Sequence, residues 1–428
     1  MKTQYGQVVL VDNGGFFPEE GDSLYRDKAW FLMDGTVLIG GDASGMSEKE
    51  LKYGRSWLLA QLKRSRLNMV CANVWDKTTK KPLVQPYVIV KKGTVNVGIF
   101  GLTSDKVDLG PSRDSLTLED PVVAAQRTVA EMRKKGATVV VLLSMLGKVE
   151  SEDLVTTVDG IDLVIAGRNV PVIQKGRMIK NTLACYGGEQ GQHIGRSVLT
   201  LDAARKMTTG ENDVFVLGPE VGEKPEVLQL VKSFNDSFND KMRKLEKERA
   251  ARAALETGGE TAGGKPSADH YVGMEVCARC HQPEVQQWAT TAHARAWQTL
   301  VDQKKESTPE CITCHVVGYK QPGGFQTADD AVKLGNVQCE SCHGMGTTHE
   351  AMPAQKQRIT EATCRTCHNQ TTSPTFDFAV FQPHIVHKTP ADLKPLPPNP
   401  NKKSMQMKSG APNPPNPGED AAKLKSGH

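Results

Sequence analysis

The sequence predicts two structured domains of different class, an α/β layered domain at the N-terminus and a mainly α-helical and irregular domain towards the C-terminus. In the first part of the chain, short apolar runs alternate with amphipathic segments, which is typical of strands and helices stacked in layers. Farther along, eight of the ten cysteines lie between Cys277 and Cys367 in four short motifs, a pattern that indicates a different architecture. A chain of 428 residues is long enough for two or three domains.

The elements of the first domain follow from its apolar runs. Five runs are predicted as buried strands because they are short, continuous and rich in Val, Ile and Leu. They are VVLVD at 8–12, NMVCAN at 68–73, VNVGIFGL at 95–102, TVVVLLS at 138–144 and LVIAG at 163–167. Two segments between them have helical spacing, and Ser47 and Asp120 stand near their predicted starts.

The rest of the chain divides by composition. A helix pattern of mixed charge covers about 225–256, and its basic run predicts a solvated face. A Gly-rich stretch then predicts a linker, and after 388 proline, lysine and asparagine dominate in a way that cannot bury a core. The predicted divisions are the α/β domain at 1–224, helix and linker at 225–268, the second domain at 269–388 and a flexible tail at 389–428, which could also lie along a partner.

Each of the four cysteine motifs has the form Cys-x-x-Cys-His. They are CARCH (Cys277, Cys280, His281), CITCH (Cys311, Cys314, His315), CESCH (Cys339, Cys342, His343) and CRTCH (Cys364, Cys367, His368). Two thiols one helical turn apart reach the two vinyl groups of one porphyrin, and the adjacent histidine becomes the proximal iron ligand. Random placement of the same residues predicts about 0.006 such motifs in the chain. We therefore predict four covalently attached c-type haems with these four histidines as proximal ligands.

Paired cysteines have two other common uses. Four pairs could form zinc sites or four disulfides. Neither use requires a histidine after every pair, and every pair here has one. The haem interpretation is therefore favoured.

A six-coordinate haem iron needs a second axial ligand, which makes the remaining histidines of this region candidates. We favour three histidines as distal ligands and a fourth as a further candidate, while a fifth histidine and one methionine are weaker candidates. These are His293, His349 and His387, then His270, and then His384 and Met345.

The motif region resembles the tetrahaem cytochrome family typified by the electron acceptor of hydroxylamine oxidoreductase. The resemblance covers about 271–387 through YVGMEVCARCHQPEVQQWATTAHARAW, CITCHVVGYKQPGGF and VQCESCHGMGTTH. It implies three bis-histidine haems, with His293, His349 and His387 in the distal positions. It also implies that the iron of the second motif, held by His315, lacks a distal protein ligand.

The first domain resembles the metallophosphoesterase domain of the 5′-nucleotidase family. The resemblance covers about 8–201 through VLVDNGGFF, GGDASGMSEKELKYG, CANVWD, VGIFGLTS, VVVLLSMLG and DLVIAGRNV. That family holds two metal ions with Asp, Asn and His side chains. Here the matching positions are Gly15 for the bridging aspartate, Glu48 and Lys49 for the Asn-His pair, Met145 for a histidine, and Arg168 and Val170 for the His-x-His pair. We expect no dinuclear metal site and a catalytically inactive scaffold or docking module.

Composition and targeting signals limit the location and the partners. The 53 basic and 49 acidic residues are too balanced to indicate nucleic acid, and no run of about 18 apolar residues indicates a transmembrane helix. Haem attachment to Cys-x-x-Cys-His predicts an exported protein, periplasmic or at the cell surface. MKTQYGQVVL lacks an apolar signal core, and the first strand of the phosphoesterase family with its Asp-x-His motif is missing. We therefore expect the natural precursor to begin upstream of Met1.

The expected function is electron transfer rather than enzymatic catalysis. Bis-histidine ligation predicts low potentials, and the expected partners are redox proteins, including other multihaem cytochromes or copies of the same chain. One alternative is a haem enzyme that reduces a small nitrogen or oxygen species at the open iron, and another is phosphoester hydrolysis by the first domain. Cys71 and Cys185 are expected to be buried free thiols rather than a disulfide, and His193 is expected at a strand edge.

Overall fold

The structure is a computed structural model that describes residues 7–18, 23–189, 191–218, 221–256, 269–351, 359–369, 372–373 and 375–387. The predicted Gly-rich linker and the predicted tail at 389–428 lie outside these residues. In the part of the chain that is described, no helix is both long enough and apolar enough to span a membrane.

The first domain contains thirteen strands and four helices among the described residues. The strands are β1 (Val11–Asp12), β2 (Ala43–Ser44), β3 (Val74–Asp76), β4 (Lys81–Pro82), β5 (Tyr87–Lys92), β6 (Val95–Thr103), β7 (Leu116–Leu118), β8 (Val139–Met145), β9 (Leu163–Ala166), β10 (Ile173–Ile179), β11 (Thr182–Tyr186), β12 (His193–Leu201) and β13 (Met207–Val216). The helices are α1 (Ser23–Leu38), α2 (Arg55–Ser65), α3 (Pro121–Lys134) and α4 (Lys148–Thr157). The predicted α/β layered class is confirmed.

A central sheet of eight strands has the order β12-β13-β10-β11-β9-β8-β6-β5. Strands β6, β8, β9 and β11 are parallel to their neighbours in this group. Every residue of β8 is buried, as expected for a parallel strand covered on both faces. Helices α3 and α4 pack on one face, with Val129 and Leu154 among the buried residues, and β1 and β2 lie on the other face, where Ala43 is buried against Leu143.

Beyond the parallel strands the sheet continues as antiparallel β10, β13 and β12. Asp213 on β13 accepts hydrogen bonds from Lys175 on β10 and from Arg196 on β12, the latter at 2.9 Å. These two hydrogen bonds hold the pKa of Asp213 below its ordinary value, and the bond from Lys175 has the larger effect. His193 begins the edge strand β12, as predicted.

Two predicted elements of this domain are wrong in detail. The run 68–73 is not a continuous strand: only isolated bridges form, and the N–H groups of Cys71 and Ala72 donate to the carbonyls of Gln85 and Gly101 as the segment passes between sheets. The helix expected to start near Ser47 is a short 3₁₀ turn at Lys49–Leu51 followed by α2, because Gly54 breaks the helix at φ 84°.

Other predictions of local structure are confirmed. Asp120 caps α3, and its carboxylate accepts hydrogen bonds from the N–H groups of Val122 and Val123. Cys71 and Cys185 are buried free thiols. Burial raises the pKa of Cys71, and it raises the pKa of Cys185 to about 11.

A long helix, α5 (Pro225–Glu256), follows the first domain at the position that the charge pattern predicts. Phe234 of α5 stacks on Phe31 of α1, with ring centres 4.5 Å apart. Lys241 of α5 also pairs with Asp27 of α1 at 2.7 Å. This helix is therefore fixed to the first domain before the chain enters the second.

The second domain consists of short helices and turns, as predicted. Its helices are α6 (Met274–Ala278), α7 (Gln282–Ala289), α8 (Ala296–Asp302), α9 (Pro309–His315), α10 (Ala331–Leu334), α11 (Cys339–His343), α12 (Gly346–Ala351), α13 (Glu361–Arg365) and α14 (Phe378–Phe381). Its cluster of buried apolar side chains includes Leu300, Ile312 and Phe325.

Candidate multihaem site

Each Cys-x-x-Cys-His motif begins in or forms one of the short helices. In the first motif the N–H of His281 donates to the carbonyl of Cys277 at 3.0 Å, and in the fourth the N–H of His368 donates to that of Cys364 at 2.8 Å. These are helical i to i−4 bonds. They place the paired cysteines and the following histidine on one turn, which is the arrangement that covalent haem attachment requires.

Three motif histidines face a second histidine that is distant in sequence. The ring centres are 6.1 Å apart for His281 and His349, 6.1 Å for His368 and His293, and 6.2 Å for His343 and His387. Because a metal–imidazole bond is about 2 Å long and a ring nitrogen lies about 1 Å from its ring centre, two axial imidazoles on one iron have centres about 6 Å apart. The three pairs therefore have the separation that bis-histidine haem ligation needs.

The fourth motif histidine, His315, belongs to none of these three pairs. Its Nδ1 lies 2.5 Å from the carbonyl oxygen of Ala296 and 3.5 Å from Thr299 Oγ1. The carbonyl accepts the Nδ1 hydrogen, which leaves Nε2 as the nitrogen available to a metal. His270, the remaining distal candidate, is also outside the three pairs, and its backbone N–H donates to Thr347 Oγ1 at 3.0 Å.

The electrostatics of three of these histidines favour the neutral, metal-binding form. Burial, with the nearby His368 and His315 as smaller causes, lowers the pKa of His293 to about 4. Burial also lowers the pKa values of His343 and His368. A neutral imidazole is the form that coordinates a metal.

The motifs meet in two pairs. The free thiols of Cys277 and Cys339 lie next to each other, and this neighbour is the first cause that raises the pKa of Cys277 and lowers that of Cys339. The thiols of Cys314 and Cys367 form the same kind of contact. The first motif is therefore next to the third, and the second is next to the fourth.

Gln287 is a site residue that the sequence did not reveal. Only 1% of Gln287 is exposed, and its Oε1 accepts a hydrogen bond from His387 Nδ1 at 3.2 Å. A hydrogen-bonded Nδ1 fixes the orientation of a ligating ring and leaves Nε2 for the metal. In the sequence this residue looks like any polar position of an amphipathic helix, and no local pattern distinguishes it.

The positions that match the phosphoesterase metal ligands come together on the first domain. Glu48 Oε1 lies 3.6 Å from Arg168 Nε, so two substituted positions form an ion pair. Met145 is buried, and a Cβ at Gly15 would lie 2.8 Å from its Cε. The thioether therefore occupies the space that a side chain at position 15 would need. Within the described residues, no group of three or more His, Cys, Asp or Glu side chains is arranged to hold a metal ion.

The loop beside this site is held by a buried carboxylate. Glu50 accepts hydrogen bonds from the N–H groups of Gly15 at 3.1 Å and Phe16 at 2.9 Å. It also accepts from the N–H of Ser47 at 2.8 Å and from the hydroxyl of that residue at 2.9 Å. Glu50 therefore fixes the loop at Gly15 and Phe16 to the segment at Ser47.

Comparison with known proteins confirms both resemblances. Residues 276–344 match the family model Cytochrome c554 and c-prime, which supports covalently bound haem c in this region. Cytochrome c-554 of Nitrosomonas europaea is 35% identical over 102 residues, which is 20% of this chain and 43% of that protein. The chain thus spans less than half the length of this curated relative.

The first domain is similar to nucleotide phosphoesterases. The 2′,3′-cyclic-nucleotide 2′-phosphodiesterase/3′-nucleotidase of Yersinia enterocolitica is 30% identical over 240 residues, 45% of this chain and 36% of that protein. Among solved structures, a 5′-nucleotidase precursor from Thermus thermophilus matches with a TM-score of 0.47 at 22% identity, covering 54% of this chain and 50% of that chain.

Proposed function

We propose that the protein is a multihaem c-type cytochrome that carries electrons in an exported pathway. The observation that carries the proposal is the set of three histidine pairs, each joining a motif histidine to a distant one at 6.1 to 6.2 Å. Bound haem c supplies a reversible one-electron centre. The eight motif cysteines would attach four haems, and the paired imidazoles would hold three of the irons on both sides.

Two hydrogen bonds orient histidine rings of this site. The carbonyl of Ala296 and the amide of Gln287 orient the rings of His315 and His387. The contacts between the first and third motifs and between the second and fourth support a cluster in which cofactors are neighbours. A cluster of this kind suits transfer between redox proteins, including other multihaem cytochromes or copies of the chain. The exported location rests on the site of c-type haem attachment.

We further propose that the first domain is a catalytically inactive scaffold. The ion pair of Glu48 with Arg168 and the buried Met145 beside Gly15 support this, because neither arrangement offers the hard ligands that two metal ions require. Phosphate release from nucleotides with Mn²⁺ or Zn²⁺ present, at a rate above that of buffer, would overturn this part of the proposal.

The scaffold holds the chain that leads into the second motif. Lys28 of α1 pairs with Glu310 at 2.8 Å, one residue before Cys311. On α5, Asn239 Nδ2 donates to the carbonyl of Lys304 at 2.7 Å, and Arg243 pairs with Glu306 at 2.6 Å. The first domain and α5 thus fix the segment 304–310 from two sides.

A second function is supported by His315, which belongs to none of the three pairs. An iron held by His315 alone on the protein side could bind a small nitrogen or oxygen species, and the protein would then be a haem reductase. The two functions are separated by adding carbon monoxide to the dithionite-reduced protein and by assaying nitrite, nitric oxide and hydroxylamine reduction. Electron exchange with a redox dye and no turnover of these substrates supports the carrier, whereas sustained turnover supports the reductase. Failure to develop a sharp α-band on reduction would refute both.

A further inference from the structure

The third motif contains a buried carboxylate that does not belong to any haem-binding signature. Glu340 lies between Cys339 and Cys342, and only 4% of it is exposed. A buried carboxylate is costly unless hydrogen bonds replace its hydration. Identifying its donors therefore shows what this side chain holds in place.

Three backbone N–H groups donate to Glu340. The N–H of Val272 lies 3.0 Å from Oε1 and 3.2 Å from Oε2, and the N–H of Gly273 lies 2.7 Å from Oε2. The N–H of Gly346 lies 2.7 Å from Oε1. Hydrogen bonds to an ionised carboxylate are about twice as strong as those between neutral groups. All of these donors belong to other segments than the helix that carries Glu340.

These donors belong to the two segments that carry one histidine pair. Val272 and Gly273 directly precede α6, which leads through Cys277 to His281. Gly346 begins α12, which carries His349. One carboxylate therefore connects the segments of both rings of the His281–His349 pair.

The junction between Glu340 and these two segments is closely packed. A Cβ at Gly346 would lie 2.7 Å from Val272 Cγ2 and 3.0 Å from Glu340 Oε1. Gln338, which is 6% exposed, supports the same junction. Its Oε1 accepts a hydrogen bond from the N–H of Met274 at 2.9 Å, and its Nε2 donates one to the carbonyl of Gly335 at 2.7 Å. The separation of the two ligand-bearing segments is thus set by direct contacts rather than by the histidines alone.

We propose that Glu340 is the positioning residue of the first haem, fixing the separation of the two segments that carry His281 and His349 and adding a negative charge to their junction. The inference rests on the proposed haem function. A carboxylate charge here would favour the oxidised state of an iron held by this pair, because that state carries one more positive charge than the reduced state. It also holds the axial rings through the backbone, as outer-shell groups do at other metal sites.

The test is Glu340→Gln in the full chain, matured with its haems, with Glu275→Gln as the control. Glu275 lies two residues before Cys277 but is exposed, so the control removes a carboxylate charge from the same neighbourhood without touching the junction. Low-temperature EPR of the ferric protein and a spectroelectrochemical redox titration are the readouts. His349→Ala identifies the signal of the affected haem.

In Glu340→Gln we expect the EPR signal assigned through His349→Ala to shift or convert to high spin and the midpoint potential of that haem to rise, with the haems of the second and fourth motifs unchanged. Glu275→Gln should match the parent protein in every signal. If Glu340→Gln does not accumulate as holoprotein, Gly346→Ala tests the same contact with the charge retained, and the same single EPR signal should change.

Parent-like signals and potentials in Glu340→Gln, or a change spread over all haems, would overturn the inference while leaving the proposed function intact. If the matured parent protein itself carries no haem, the proposed function is refuted.

Discussion

Removing one distal histidine should convert one haem and leave the others as they are. The ring centre of the half-buried His293 lies 6.1 Å from that of His368, so His293→Ala deletes one side of a single histidine pair. Three histidine pairs are present, and under the proposed function each would supply one low-spin bis-histidine centre. The variant should therefore lose about one third of the low-spin EPR intensity, since one of three such ligand sets is broken.

The same variant should gain a site for an external ligand. With His315 outside the three pairs, the parent protein is expected to bind one carbon monoxide per chain and His293→Ala two. Carbon monoxide titration of the reduced protein, followed in the Soret region, measures this directly. His293→Met offers a second readout, because histidine–methionine ligation raises the potential of a haem above that of bis-histidine ligation.

His384→Ala is the matched control, because it removes an imidazole from the same region whose ring belongs to none of the three pairs. It should retain the parent EPR intensity and carbon monoxide stoichiometry. Unchanged low-spin intensity in His293→Ala, or an equal loss in His384→Ala, would refute the assignment of the pairs.

Three further predictions follow from the described contacts. Gln287→Leu leaves His387 Nδ1 without its hydrogen-bond acceptor. We therefore expect the midpoint potential of one haem to rise in a redox titration and the free energy of unfolding to fall by about 1–3 kcal/mol. An unchanged potential would contradict the orienting role of Gln287. Gly15→Asp places a side chain against Met145 at a backbone φ of 74°, so the melting temperature measured by circular dichroism should fall and no phosphatase activity should appear; a stabilised or active variant would count against the account. The pKa of Asp213 is lower in the folded protein than in the unfolded chain. Its contribution to stability is therefore present above the unfolded pKa of about 3.9 and is lost as the pH falls through the lower folded value. In Asp213→Asn the free energy of unfolding should fall less steeply with decreasing pH than in the parent protein, and an equally steep fall would be evidence against this role.

The sequence alone predicts the parts of the candidate site that are local. A Cys-x-x-Cys-His motif encodes its own turn, so the attachment residues and proximal histidines can be predicted without a fold. The expected distal residues His293, His349 and His387 are the ones that the structure places opposite motif histidines. Which motif each one faces is a matter of tertiary packing, and no spacing rule supplies it.

The residues that sequence reasoning missed act through burial. Gln287 and Glu340 look like ordinary surface positions because polar residues on short helices are usually solvated. Their roles arise from what covers them, which depends on segments about 70 to 100 residues distant in sequence, at Val272 and His387. The same limit explains α1, a helix that the sequence patterns did not predict and which carries Phe31 against Phe234.

Errors in the first domain have a similar cause. The apolar run at 68–73 has strand composition, but its N–H groups donate to two different neighbours, and a ladder requires one continuous partner. The helix expected from Ser47 was predicted from the spacing of apolar residues. That spacing does not reveal that Gly54 adopts a positive φ, which separates two shorter elements.

The account depends most directly on covalent haem at all four motifs. Peptide mass mapping of the natively matured protein should find one haem on each peptide that contains Cys277, Cys311, Cys339 or Cys364, together with the mass of four haems on the intact chain. Unmodified thiols, disulfide-linked peptides or bound zinc at these motifs would contradict it.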